Sequence, residues 1–124
     1  MAWEVILVEE VHRWYFDLED EDPDSAALVR AAISHLWEVG PSLGRPYVDT
    51  ISGSRLSNLK ELRPGSSGRS EVRILFVFDP MRQAILLVAG DKSGRWQEWY
   101  REAIPIAEQR YERWLMGDYS GELK

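Results

Sequence analysis

The stretch LKELRPGSSGRSEVRILFVFDPMRQAILLVAGDKSGRW, residues 59–96, carries the pattern from which the fold can be read. At its centre, over residues 70–78, Val72, Ile74, Phe76 and Phe78 alternate with Arg73, Leu75 and Val77. A period of two is that of a strand, whose successive side chains face opposite sides of a sheet. Asp79-Pro80-Met81-Arg82 has hairpin-turn chemistry, and residues 83–89 follow as a second apolar strand. Upstream, residues 58–63 read as another strand, stopped by Pro64-Gly65, and residues 64–70 as a tight connector. Three strands in such close succession predict an antiparallel meander. The segment GDKSG at 90–94 breaks the last of them.

Working outward, residues 3–8 form a short apolar run rich in β-branched side chains and predict an N-terminal strand. Residues 9–18 predict a short helix, with Val11, Trp14, Tyr15 and Leu18 at helical spacing. The acidic run DLEDEDPD at 17–24 reads as a break. Within it, Asp22 before Pro23 has the form of an N-cap with proline at the first helical position. Ala26, Val29, Ile33, Leu36 and Trp37 then make one apolar helical stripe, closed by Gly40-Pro41. Residues 41–57 are turn-rich and predict a long loop. Residues 95–116 predict a last helix, with Trp99, Ile106, Tyr111, Trp114 and Leu115 available for burial. Pro105 should kink or restart that helix, and residues 117–124 should fray. The order is β-α-α-β-β-β-α, a single α+β domain over 1–124. Its helices are expected on one sheet face, leaving the other partly open.

Composition sets the outer bounds. The chain has 124 residues, 44% hydrophobic and 29% charged, which suits one globular domain. The longest apolar runs, 74–78 and 84–89, fall far short of the ~20 residues that cross a bilayer. MAWEVILVEE has acids and no basic n-region, which argues against a secretory signal. Cysteine is absent, so disulfides and thiol chemistry are excluded, and a cytoplasmic address is the expectation. The net charge of −6 is unevenly placed: −8 over residues 1–53, +4 over 54–101 and −2 over 102–124. A polyanion would be repelled by the first segment and attracted by the second.

Several chemistries fail on their residues. Asp20, Asp22 and Asp24 have the spacing of a calcium loop, but the turn glycine is missing and Ala31 stands where the bidentate Glu belongs. PGSSGRS lacks the lysine of a phosphate loop. His12 and His35, the two histidines, have no companions at metal-ligand spacing, and no metal is expected. No G-x-S-x-G elbow supports a serine nucleophile. What remains is a set of cations and one aromatic. Lys60 and Arg63 lie on the second strand, Arg73 on the third, and Lys92, Arg95 and Trp96 just after the fourth. Antiparallel pairing could gather Arg63 and Arg73 on one face, with Lys92 at its rim. Such a cluster can hold a phosphate, and an indole beside it can stack on an unpaired base. Ordinary exposed sheet charges with Trp96 in the core are the plain alternative. The acidic residues Asp20, Glu21 and Asp22 could attract a basic partner segment. Trp3, Trp14, Tyr15 and Tyr111 suit the core, or alternatively a partner groove.

The sequence resembles the RelE/ParE-type toxins of bacterial toxin–antitoxin pairs, in particular their HigB-like, phage-derived branch. The resemblance rests on LKELRPG at 59–65, EVRILFVFDP at 71–80, ILLVAGDKSGRW at 85–96 and the preceding GRPYVDTISGS at 44–54, in that order. It implies a ribosome-dependent mRNA endonuclease that inhibits translation, neutralised by a helix-turn-helix antitoxin of the HigA type. The implied partners are thus that antitoxin, the ribosome and mRNA, with DNA reached only through the antitoxin and no membrane. In that family the ribose 2′-hydroxyl attacks the adjacent phosphate, leaving a 2′,3′-cyclic phosphate and a 5′-hydroxyl without metal or cofactor. The resemblance assigns Arg63 and Arg73 to the scissile phosphate and Lys92 to a second phosphate contact or acid. It assigns Trp96 to base stacking, and Lys60 and Arg95 to RNA contact. Glu61 and Glu71 are candidate bases if they face the phosphate. A non-nuclease member of the same fold, binding gyrase or only its antitoxin, is the second reading. An unrelated small binding domain is the third.

Overall fold

The computed structural model describes residues 3–119. Strand β1 (Glu4–Leu7) leads into helix α1 (Glu9–Glu21) and helix α2 (Pro23–Val39), which ends in a 3-10 turn over Gly40–Ser42. Four strands follow: β2 (Val48–Thr50), β3 (Lys60–Leu62), β4 (Val72–Asp79) and β5 (Gln83–Asp91). Helix α3 (Trp96–Leu115) closes the order. The five strands form one sheet in the order β1-β5-β4-β3-β2. The meander is antiparallel as the spacing predicts, and β1 adds to β5 in parallel.

Three expectations about the elements are corrected. The acidic run is helical up to Glu21, because Asp22 alone serves as the joint. Its backbone N–H closes α1 on the Leu18 carbonyl, and its carboxylate accepts from the Ser25 N–H and, at 2.6 Å, from the Ser25 hydroxyl. The predicted loop 41–57 contains β2, a strand too short to show periodicity but paired along its length with β3. Strand β5 runs on through Gly90 to Asp91, opposite Arg73 and Val72. Of the two outcomes expected at Pro105, a kink or a restart, the restart does not occur: α3 is continuous from Trp96 to Leu115, with Pro105 exposed.

Both faces of the sheet are covered, which corrects the expectation of an open face. Residues paired across a ladder share a face. Leu62, Ile74 and Phe76 point toward α1 and α2; Leu62 and Leu7 line the recesses against those helices. Glu61, Leu75, Val88 and Gly90 point the other way, where α3 lies. This is why Ile74, Leu75, Phe76 and Val77 are all buried, although they alternate in direction. Gly90 allows α3 to sit this close: a Cβ there would stand 2.6 Å from the Trp99 indole nitrogen. Two residues expected in the core are exposed. Trp37 stands at the recess lined by Val5 and Ile33, and Leu115 lies at the end of α3. Trp14, Tyr15 and Tyr111 pack against the core. The fraying expected over 117–124 meets a turn instead at 117–119, where Tyr119 packs against the core. Residues 120–124 lie outside the described part. No described helix is long and apolar enough to cross a membrane.

Candidate nucleic-acid interface

The α3-facing side of the sheet holds a buried carboxylate, Glu61, only 1% exposed on the shortest central strand. A lone charge in such a place is costly unless paired. It is paired from three directions. Arg63, two residues along and therefore on the same face, donates from Nε to Glu61 Oε2 at 2.8 Å. Arg73 on β4 brings its Nε to 3.8 Å from Oε1. Tyr100, one turn after Trp96 on α3, donates its hydroxyl to the same Oε1. The Lys92 ammonium in turn donates to the Tyr100 hydroxyl at 3.1 Å and lies 3.6 Å from the centre of the Trp96 ring. Asp49 on β2 completes the rim, 3.3 Å from the Arg63 guanidinium.

Three cations, one just past β3, one on β4 and one in the β5–α3 loop, thus gather about Glu61, Lys92 through the Tyr100 hydroxyl. Accessibility differs among them: the Arg63 side chain is 32% exposed, Arg73 14%, and Lys92 as a residue 3%. Burial and the nearby Arg73 charge push the Lys92 ammonium below the usual lysine range, against the pull of Glu61 and Glu71. The hydrogen bond to Glu61 holds Arg63 above its ordinary value. Burial, then the Glu61 carboxylate, drives the Tyr100 phenol far up, so it remains a hydrogen-bond donor. Beside the cluster a shallow recess is lined by Thr50, Ile51, Ser52, Glu61, Arg63, Tyr100 and Ile104. An anion arriving there meets Arg63 first.

The structure therefore gathers Arg63, Arg73 and Lys92, with Trp96 at the edge, 54% exposed as a residue and with the Lys92 ammonium over its ring. It does not gather the rest. Lys60 alternates with Glu61, so it takes the opposite face, and its ammonium is 3.5 Å from the Thr50 hydroxyl. Arg95 is bound to Glu102 at 2.7 Å. Asp20 and Glu21 are exposed at the end of α1, whereas Asp22 is occupied as the cap. Glu71 turns its backbone to the cluster, its carbonyl accepting from the Lys92 N–H. Sequence reasoning missed Tyr100. The available signal was its i+4 spacing from Trp96, which puts both rings on one side of a helix. Among the described residues no three acidic, histidine or cysteine side chains cluster as a metal site would require.

Comparison with known proteins gives consistent matches. A family profile described as phage-derived protein Gp49-like matches residues 17–112. A Mycobacterium tuberculosis protein assigned as the toxin HigB3 is 50% identical over 117 residues, covering 94% of this chain and 97% of that protein. A second M. tuberculosis protein, assigned as the toxin HigB2, is 57% identical over 104 residues. That match covers 84% of this chain and half the length of HigB2. Among solved structures, a double arginine-to-alanine variant of the Escherichia coli toxin RelE in the free state superposes with a TM-score of 0.59. The superposition spans 91% of this chain and 98% of that one at 10% identity, so the likeness is one of fold.

Proposed function

The chain belongs to the Gp49-like family of phage-derived proteins, and from that membership we propose that it is the toxin of a toxin–antitoxin pair. Its activity is cleavage of mRNA on the ribosome. The observation that carries the nuclease reading is the convergence of Arg63, Arg73 and Lys92 on one point. In this reading a phosphodiester enters beside Glu61, with Arg63 and Arg73 on its non-bridging oxygens. The ribose 2′-oxygen bonds to phosphorus and passes its proton to water. The bond from phosphorus to the 5′-oxygen breaks, and that oxygen takes up a proton, for which Lys92 is the positioned donor. The nucleophile belongs to the substrate, so the protein's contribution is alignment, charge stabilisation and proton transfer. Trp96 offers its open ring face to an unstacked base.

The test is expression of the wild-type chain and of Arg73→Ala under a regulated promoter. The wild-type chain is expected to arrest growth and protein synthesis. Arg73→Ala, with unchanged circular dichroism, is expected to lose both effects. Arrest that persists in the variant contradicts the nuclease reading, and arrest accompanied by DNA breaks and an SOS response would point to gyrase. The antitoxin is proposed to be of the HigA type. Asp20 and Glu21 are proposed to draw in a basic segment of it by long-range attraction. Asp20→Asn with Glu21→Gln should slow association and flatten its salt dependence, read by stopped-flow mixing; unchanged rates would remove this role.

A further inference from the structure

We propose that Glu61 is a positioning residue whose charge holds Arg63, Arg73 and Lys92 together at the site. The inference rests on the reading of this cluster as the phosphate site and says what assembles it. Three cations brought within a few ångströms repel one another strongly in a partly dry environment. Here two of them reach Glu61 directly and the third reaches it through Tyr100. The carboxylate is fully buried, and its two oxygens face Arg63, Arg73 and Tyr100. That occupancy suits a fixed counter-charge. The groups facing Lys92 come from every neighbouring element: Arg73 from β4, Glu61 from β3 and Arg63 just past it, Glu71 immediately before β4, and Tyr100 and Trp96 from α3. Glu61 favours the charged ammonium and Arg73 opposes it, so the two should offset each other.

The chain has three lysines, Lys60, Lys92 and Lys124, so selective carbon-13 labelling gives three side-chain signals to titrate by NMR. In Glu61→Gln, which keeps the shape and removes the charge, the Lys92 midpoint should move to lower pH. In Arg73→Gln it should move to higher pH. In the double variant it should return toward the wild-type value. A Lys92 midpoint unchanged in folded Glu61→Gln overturns the proposal. Should Glu61→Gln alone fail to fold, recovery of folding in the double variant supports the charge balance. Failure of both, with Arg73→Gln folded, overturns it. These readouts need no RNA. Absence of cleavage by the wild-type chain would remove the nuclease reading and leave this result standing.

Discussion

Glu61 and Gly90 show how single residues shape the site. Gly90 leaves room for the Trp99 indole, and Trp99 anchors the helix that carries Tyr100 and Trp96. Gly90→Ala should cost about 1–3 kcal/mol by overpacking, read as a fall in urea midpoint. No loss would mean that α3 tolerates a shift away from the sheet. Glu10 has a comparable role at the far end of α3, accepting from Arg113 at 2.9 Å with Arg110 at 3.7 Å. Burial works against its ionisation, but its own backbone N–H and the two arginines outweigh that and lower it from 4.5. A carboxylate lowered in the folded state contributes stability that is present above about pH 4.5 and lost as the pH falls through the folded value. Thermal unfolding between pH 6 and pH 3 should therefore show a shallower loss for Glu10→Gln than for the wild-type chain; parallel curves would contradict this. The residues of the site were partly legible in the sequence. Arg63 and Arg73 announced themselves by strand alternation. Tyr100 did not, because its partner Glu61 lies 39 positions away.

Among the elements, the meander β3-β4-β5 was readable because its apolar pattern and turn residues agree. β2 was not, since three residues carry no period and its pairing with β3 is the only thing that makes it a strand. The acidic run at 17–24 misled for a physical reason. Acidic side chains read as a break, yet Glu9–Glu21 holds as a helix with Val11 buried, and Asp22 is the cap that turns the chain. The Ser25 hydroxyl also meets Ser70, tying this joint to the connector ahead of β4. Asp22→Ala should therefore cost about 1 kcal/mol and lower the melting temperature, whereas Asp20→Asn should leave it unchanged. Equal effects would mean that Asp22 acts as surface charge alone.

For the whole molecule, the charge asymmetry gains meaning from the layers. The strongly acidic first segment supplies α1 and α2 on one face of the sheet, and the cation cluster opens toward α3 on the other. A net charge of −6 is thus compatible with a local anion site, but not with a broad electrostatic grip on RNA. Three cations offset by the Glu61 and Asp49 carboxylates leave one net charge. At about −0.7 per phosphate on a single strand, the logarithm of affinity should fall with the logarithm of salt at a slope of about −0.7. A slope steeper than about −4 would require contacts far outside this cluster.

The central claim is that this cluster cleaves RNA through the substrate's own 2′-oxygen. The measurement that tests it most directly is the end chemistry of mRNA recovered from translating extracts to which the purified chain has been added. Wild-type protein should generate new 5′-hydroxyl ends matched by 2′,3′-cyclic phosphates, and folded Arg73→Ala should generate neither. New ends bearing 5′-phosphates, or no new ends from the wild-type protein, would contradict the account.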